Sequence, residues 1–284
     1  MTTPGPSAVP TPSPTDPSAA DTPPAARPPA PEHTQKPAPQ APQGAHALVI
    51  VAHPDDADFG AAGTLATWAD EGFDTTLLVV TRGDQGGLED EDMTAQTQRR
   101  EAEQRAASAV VGVRDVRFLD GFRDGWLEPT FELQKEIVRV IREVRPARVL
   151  TQSPERNWDR LFSSHPDHMA VGEATVRACY PAAENPHAWP ELVSELGLAA
   201  FKVPEIWIMG HPEPNHAVDI TDTFERKVEA LHQHVSQVGF LPAGALETRL
   251  RTWAEASARA AGLPQGRLAE VFKRVWVNAA PPGN

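Results

Sequence analysis

Short apolar runs alternate along this chain with longer segments whose apolar residues recur at helical spacing. The runs predict strands at 47–52, 75–81, 115–119, 147–152, 205–210, 216–220 and 270–277. The first two runs, ALVIVA and TTLLVVT, contain uninterrupted apolar stretches, which is typical of strands buried on both faces. The chain is therefore predicted to be an α/β protein, with a Rossmann-like, mostly parallel sheet and helices on both faces.

The N-terminal segment has a different composition. Of the 29 prolines in the chain, 14 lie in residues 1–42, interleaved with Ala, Ser and Thr. Such a segment cannot bury enough apolar surface to offset the entropy lost on ordering it. We predict a disordered tail over residues 1–44, without the features of a secretory signal peptide, and one folded domain over residues 45–284.

The net charge, hydropathy and cysteine content indicate which binding partners and which cellular compartment to expect. The formal net charge of −13 repels phosphate backbones, so nucleic acid is not expected as a partner. No run of 18 apolar residues occurs, so no membrane-spanning helix is expected. The single cysteine, Cys179, excludes an intramolecular disulfide and a thiolate metal cluster, and a cytoplasmic location is the default expectation.

Polar segments follow three of the predicted strands. VIVAHPDDADFG (49–60) includes the first strand, TRGDQGG (81–87) leaves the second, and TQSPERNWDRLFSSHPDHMAVG (151–172) leaves the fourth. In open α/β sheets, ligands bind beyond the carboxyl ends of the strands, so the three loops are expected to meet at one rim. A lone His-Pro is usually part of a turn, but two HPD sequences on one rim indicate a functional site.

The two HPD segments contain the ligands that a divalent metal prefers. A catalytic zinc site uses three protein ligands, drawn from imidazole nitrogens, carboxylate oxygens and thiolates, and keeps a fourth position for water. His53 and Asp56 lie three residues apart in one turn, and His168 comes from the other loop. These three residues are the predicted ligand set.

The neighbouring polar residues are predicted to act on the substrate. Asp55 is offset by one residue from the ligand Asp56, so its carboxylate is free to serve as general base toward the water that the metal activates. His165 lies one helical turn before His168 and is expected to face the other flank of the substrate. Asp167 is expected to fix the tautomer of His165 and to keep it charged.

AHPDDADFG and SHPDHMAVG together resemble the LmbE-like, PIG-L-type family of metal-dependent N-acetylglucosamine deacetylases, which includes the deacetylase and the amidase of mycothiol metabolism. The likeness runs from about Ala45 to Gln237, through TRGDQGG, RREAEQRAASAVVGV and VDITDTFERKVEALHQHVSQ. The resemblance implies zinc or ferrous ligands at His53, Asp56 and His168, a base at Asp55, and His165 as the electrostatic partner of the tetrahedral intermediate, supported by Asp167.

The chain departs from this family at two positions. Ser163 stands where several members carry a tyrosine that helps the carbonyl oxygen, so stabilisation of the oxyanion must come from the metal, His165 or an arginine. Asp84 stands where the family often has glutamate. A shorter carboxylate there is still expected to contact sugar hydroxyls.

Other polar residues are candidates for substrate binding. Arg100 and Glu103, at i,i+3 on a predicted helix, form either a solvated ion pair or, as the resemblance implies, a helix turn that places Arg100 near the sugar. Arg123, with Asp124 and Trp126, is predicted to form a wall of the pocket.

Three residues near the end of the resemblance complete the candidates. They are Asp219, His234 and Gln237. One of them is expected to face the pocket, while helix capping and burial in the core remain equally open readings for each.

The predicted reaction is removal of an acetyl group from an N-acetylglucosamine-type amide by metal-activated water, with zinc or Fe²⁺ as cofactor. Asp55 or His165 returns the proton to the leaving amine. An amidase that cleaves a larger acyl group from a glucosaminyl conjugate is the alternative. A ferrous oxygenase and a non-catalytic sugar-binding module are disfavoured, because neither needs the additional aspartate. The expected partner is a small amino sugar, and homo-oligomerisation stays open.

Overall fold

The computed structural model describes residues 45–86 and 92–277. The predicted tail, residues 1–44, lies outside the described residues, so both the tail and the domain boundary remain predictions. Within the described ranges, none of the helices has the length and hydrophobicity that a membrane span requires.

Every predicted strand is present, with ends displaced by no more than two residues. The strands are β1 (His46–Val51), β2 (Asp74–Val79), β3 (Asp115–Phe118), β4 (Arg148–Gln152), β5 (Glu205–Met209), β6 (His216–Asp219) and β7 (Ala269–Trp276). The helices are α1 (Asp56–Asp70), α2 (Met93–Val110), α3 (Phe131–Val144), α4 (Pro166–Arg177), α5 (Pro190–Ser194), α6 (Phe224–Gln233), α7 (Val235–Val238) and α8 (Ala245–Ala260).

In the part of the chain that is described, these strands form one sheet in the order β3-β2-β1-β4-β5-β7-β6. Strands β1 to β5 pair in parallel, whereas β7 pairs antiparallel with both β5 and β6. The chain builds outward from β1 in one direction through β2 and β3, then returns to the other side of β1 with β4. The strand order therefore reverses between β1 and β4, and in such sheets that boundary opens a crevice for ligands.

Strand β1 shows why the sheet is covered on both faces. Leu48 and Ile50 pack into one hydrophobic cluster with helices α3 and α4, while Val49 and Val51 pack into a second cluster with α1 and α2. Successive side chains of a strand point to opposite faces, so an uninterrupted apolar run requires a cover on each side. The predicted Rossmann-like, mostly parallel α/β fold is confirmed.

Cys179 lies directly after α4 and is fully buried. Burial raises the pKa of its thiol, so the side chain packs as a small apolar group rather than as a nucleophile.

Candidate metal centre and active site

Loops from three strands meet at His53, beyond the carboxyl end of β1. Asp167, on the segment that follows β4, places its Oδ2 3.0 Å from His53 Nε2. Asp124, in the loop after β3, places its Oδ1 3.0 Å from the same nitrogen. The site therefore lies at the boundary where the strand order reverses, as expected for this sheet.

The structure brings the three predicted metal ligands together. Asp56 lies between the two imidazoles, with Oδ2 3.2 Å from His53 Nδ1 and Oδ1 3.0 Å from His168 Nε2. Burial would raise the pKa of Asp56, but His168 and His53 hold that pKa well below its ordinary value. One ionised carboxylate is thus shared by two imidazoles.

Two further donor sets include His53. Its ring nitrogens lie within 4.8 Å of donor atoms of His165 and His168, and likewise of donor atoms of Asp124 and Asp167. The ring centroids of His53 and His165 are 5.1 Å apart. Spacing in the sequence alone therefore undercounts the groups that surround the site.

The first HPD turn has an unusual backbone. Asp55 has φ of 90° and ψ of −24°, in the left-handed region that side chains with a Cβ rarely adopt. The turn is closed by Asp56 Oδ2, which accepts a hydrogen bond from the backbone N–H of His53 at 2.7 Å. Asp55 directly precedes α1, yet its carboxylate makes no capping hydrogen bond to the helix. The side chain of Asp55 is therefore free for another role.

Asp55 is suited to accept a proton near neutral pH. Burial and the neighbouring carboxylate of Asp56 raise the pKa of Asp55 to about 7, against the opposing effects of Arg100 and His234. Arg100 Nη2 lies 3.4 Å from Asp55 Oδ2. A carboxylate with a raised pKa beside a candidate metal site is typical of a general base.

Arg100 is buried, so the reading of a solvated ion pair with Glu103 is wrong. Its guanidinium donates to the carbonyl oxygens of Gly83 at 3.0 Å and Pro54 at 2.9 Å, and Glu103 instead accepts hydrogen bonds from Ser236. Arg100 thus ties the loop after β2 to the first HPD turn. A contact of Arg100 with the sugar, as the resemblance implied, stays a prediction.

Asp167 does not support the ring of His165, which corrects the sequence-based expectation. Its carboxylate accepts hydrogen bonds from the backbone N–H groups of Gly125 at 2.6 Å and Leu127 at 3.2 Å, and contacts His53. Only its backbone N–H reaches His165, donating to Nδ1 at 3.3 Å. The reason is local. His165 is the N-cap of α4, so Asp167 lies in the first helical turn, and its carboxylate contacts His53 instead.

His165 is not kept charged by this arrangement. Burial and the nearby His53 and His168 lower the pKa of His165. Because Nδ1 accepts a hydrogen bond from the backbone, the neutral ring carries its proton on Nε2. His165 can therefore donate a hydrogen bond without being an imidazolium.

Asp124 belongs to the cluster and was anticipated only as part of a pocket wall. Burial would raise its pKa, but the hydrogen bond and charge of His53 lower it. Conversely, burial would lower the pKa of His53, yet Asp56, Asp124 and Asp167 together raise it to about 12. The available signal was the position of GFRDG directly after the third strand, since loops that follow parallel strands converge at the same edge.

Asp84 and Arg123 lie beside the cluster, and Asp84 is linked to His53 through Asp124. Asp84 Oδ1 accepts a hydrogen bond from the backbone N–H of Asp124 at 3.0 Å, and Arg123 Nε lies 3.8 Å from Asp84 Oδ2. The guanidinium of Arg123 also stacks over Trp126, 5.5 Å from the ring centroid. Both side chains remain candidates for contacts with the substrate.

Asp219 and His234 do not join the cluster. Asp219 accepts hydrogen bonds from the backbone and hydroxyl of Thr221 and from Arg267, so it stabilises the turn before α6 and is not the cap of that helix, whose N-cap is Thr223. His234 is fully buried and contacts Asp58, with Nε2 2.9 Å from Oδ2. A side chain without exposed surface cannot contact a substrate, which corrects the expectation of substrate binding for His234.

Comparison with known proteins identifies the family. Residues 48–179 match the PIG-L family, described as GlcNAc-PI de-N-acetylase. The diacetylchitobiose deacetylase of Thermococcus kodakarensis is 34% identical over 191 residues, covering 67% of this chain and 69% of that protein. The chain belongs to the PIG-L family. The residues matched include both HPD segments.

Two further PIG-L relatives extend the comparison. The 1D-myo-inositol 2-acetamido-2-deoxy-alpha-D-glucopyranoside deacetylase of Rhodococcus erythropolis is 31% identical over 250 residues, covering 70% of this chain and 83% of that protein. The solved structure of N,N'-diacetylchitobiose deacetylase from Pyrococcus horikoshii superposes with a TM-score of 0.73 at 26% identity, covering 84% of this chain and 87% of that one. The family and the reaction type that the sequence predicted, deacetylation, are thereby confirmed.

Proposed function

We propose that this PIG-L protein is a divalent-metal-dependent hydrolase that removes the acetyl group from an N-acetylglucosamine-type amide. The observation that carries the proposal is the first HPD turn. Asp56 lies between His53 and His168, while Asp55 beside it has a raised pKa and no capping partner. The relatives act on N-acetylglucosamine joined to a second sugar or to inositol, which supports this substrate class.

The charge balance of the site fits a cation. The four carboxylates of Asp55, Asp56, Asp124 and Asp167 lie in a largely buried cluster with His53 and His168, and Arg100 lies beside Asp55. Such an excess of negative charge is costly unless a positive charge accompanies it.

The donor types narrow the choice of cation. We propose His53, Asp56 and His168 as its ligands, because two imidazoles with one carboxylate suit zinc or ferrous iron rather than magnesium or calcium. Asp124 and Asp167 contact Nε2 of His53, the ring nitrogen opposite the one beside Asp56. Carboxylates that accept a hydrogen bond from a ligating histidine in this way fix its orientation.

The roles of the remaining residues follow from their protonation. A divalent metal, when bound, would lower the pKa of a water molecule and polarise the acyl carbonyl. Asp55 accepts the proton from the attacking water, since its carboxylate lies next to the ligand Asp56 and its raised pKa makes it a stronger base than an ordinary carboxylate. His165 donates a hydrogen bond from Nε2 to the oxygen on which negative charge develops. Asp55, protonated in the first step, then returns a proton to the leaving amine.

A panel of N-acyl amino sugars tests the proposal. The full chain would be treated with a chelator and then reloaded with zinc or ferrous iron. Amine release would be measured with diacetylchitobiose, an N-acetylglucosaminyl-inositol and free N-acetylglucosamine. We expect release only from the reloaded protein, and only from N-acetylated substrates.

The same assay separates the deacetylase from the alternative. Each sugar would also be supplied with a larger acyl group on the same nitrogen. Preference for the larger group would favour an amidase, whereas activity that persists after chelation would contradict the metal role. A cytoplasmic location and homo-oligomerisation remain predictions.

A further inference from the structure

The backbone of Asp55 needs external support. Among residues 45–86 and 92–277, only Asp55, Arg145 and Trp189 are non-glycine residues with positive φ. Positions of this kind persist when surrounding contacts hold them, and they concentrate at functional sites. Asp55 is the one of the three that lies at the candidate active site.

A chain of buried hydrogen bonds leads to this backbone. The N–H of Asp55 donates to Oε1 of Gln104 at 2.8 Å, and Nε2 of Gln104 donates to Oδ2 of Asp58 at 2.8 Å. His234 Nε2 lies 2.9 Å from the same Asp58 oxygen. Gln104 and His234 are fully buried and Asp58 is 1% exposed. This series of hydrogen bonds therefore runs through the interior. It leads from His234 after α6, through Asp58 on α1 and Gln104 on α2, to the first HPD turn.

The orientation of Gln104 is fixed at both ends. A backbone N–H can only donate, so the carbonyl oxygen of the glutamine must face Asp55. Its amide nitrogen must then find an acceptor, which Asp58 supplies, with the Ser108 hydroxyl 3.2 Å away as a second partner. If the amide flipped, it would place a donor against a donor, and buried groups left unpaired in this way are strongly disfavoured.

We propose that Gln104 is a positioning residue, which Asp58 and His234 orient and which holds Asp55 in its left-handed backbone conformation so that the carboxylate faces the metal site. This inference rests on the proposed function, in which Asp55 is the base. It differs from the contact with Arg100, because Gln104 touches only the backbone of Asp55 and acts without meeting the substrate or the metal.

The proposal requires a loss in turnover that is separate from substrate and metal binding. In Gln104→Leu the acceptor for the Asp55 N–H is removed, so the base is no longer held at its angle. Small misplacements of reacting groups lower rates by up to roughly 100-fold. We expect kcat to fall by about 10-fold or more, with KM and metal content within about 2-fold of the parent. Gln104→Glu keeps an acceptor for Asp55 but sets a second carboxylate against Asp58, so it should retain more turnover than Gln104→Leu only where the new carboxyl is protonated and can donate to Asp58.

A matched variant controls for loss of a buried glutamine. Gln134 on α3 is also buried, and its Nε2 donates to the carbonyl oxygen of Arg177 at 3.2 Å. Gln134→Leu should therefore lose comparable thermal stability while keeping the parental kcat. An equal fall in kcat in both variants, or a fall in Gln104→Leu that follows metal loss, would overturn the proposal.

Hydrogen exchange tests the backbone contact without any substrate. The N–H of Asp55 should exchange faster in Gln104→Leu than in the parent, because its acceptor is removed. Unchanged exchange in Gln104→Leu would overturn the proposal even in an active enzyme. Because this measurement needs no turnover, faster exchange would support the positioning contact even if no N-acyl sugar were hydrolysed, so failure of the proposed function is distinguishable.

Discussion

The two HPD segments have the same three residues in sequence but differ in backbone geometry. In the first, Asp55 is left-handed and α1 begins at Asp56, directly after it. In the second, the helix begins earlier: His165 is the N-cap, Pro166 is the first helical residue, and Asp167 already lies in the first turn. Proline suits that first helical position, because its nitrogen has no hydrogen to leave unpaired there.

This difference gives the two aspartates opposite chemistry. Asp55 accepts no capping hydrogen bond, and burial with Asp56 raises its pKa to about 7. Burial would also raise the pKa of Asp167, but the hydrogen bonds from His53, Gly125 and Leu127 lower it. One aspartate is poised to exchange a proton and the other stays ionised. The motif letters alone do not distinguish them, because the point at which the helix starts sets the direction of each carboxylate.

The largest effects should separate the two aspartates of the first turn. Asp56→Ala is expected to lose metal and activity together, as are His53→Ala and His168→Ala, because each leaves two protein ligands where catalytic sites normally have three. Asp55→Asn should retain metal while turnover falls by roughly 10²–10⁴-fold, which is typical for removal of a positioned general base. Elemental analysis beside steady-state kinetics measures both. If Asp55→Asn lost the metal and Asp56→Ala kept it, the two roles would be exchanged.

The histidine that opens the second turn should behave unlike the histidine of the first. His165→Ala is expected to keep its metal and to lose about 10²-fold in kcat, because it removes a donor to the developing oxyanion. His165→Gln restores a side-chain donor and should recover part of the rate. Parental activity in His165→Ala would remove this residue from the mechanism.

The sequence was sufficient for the features that depend on local pattern. Apolar runs located the strands, and the reversal of their order explains why the loops carrying His53 and His168 meet. Spacing also singled out His53 and Asp56 as partners, and the structure places His53 Nδ1 3.2 Å from Asp56 Oδ2. Ligand spacing within a turn is short-range information, which a single chain displays directly.

The features that sequence reasoning missed depend on how distant segments dock. Asp124 reaches His53 only because the loop after β3 folds over the edge of the sheet. Gln104 meets Asp55 because α2 packs beside the first turn, although the two residues are 49 positions apart. His234 was wrongly expected to bind the substrate. Its burial against Asp58 depends on tertiary packing, which the sequence alone does not reveal. No periodicity in the sequence encodes such contacts.

A smaller effect is expected for the aspartate of the second turn. Asp167→Asn preserves an acceptor for the loop after β3 but removes the charge behind His53. Loss of such a supporting carboxylate typically weakens metal affinity by about 10–100-fold. We therefore expect weaker metal binding in a competition titration, with kcat recovered when metal is saturating. A kcat loss at saturating metal as large as that of Asp55→Asn would mean that the two aspartates share the proton-transfer role.

The smallest effect is expected for a histidine outside both HPD turns. It concerns the pH dependence of the stability of the fold rather than the activity. His216 opens β6 and packs edge-on against Trp207, with ring centroids 4.5 Å apart. Burial, with Arg274 and Arg148 nearby, lowers the pKa of His216 to about 4. Between pH 4 and 6.5 the unfolded chain therefore binds a proton that the folded protein does not, so stability falls as the pH drops through this window.

His53 has the opposite linkage in the metal-free protein. The pKa of His53 is raised from 6.5 to about 12, so the protonated ring stabilises the folded state. This stabilisation is fully present below pH 6.5 and is lost as the pH rises through about 12. His216→Phe keeps the aromatic contact and removes the acid-side term, so the free energy of unfolding lost between pH 7 and pH 5 should shrink by roughly 1–2 kcal/mol. For a domain of this size, that corresponds to about 2–6 °C in the Tm difference between the two pH values. Measurements in chelator hold the site metal-free; an unchanged pH dependence would show that His216 titrates at its ordinary pKa.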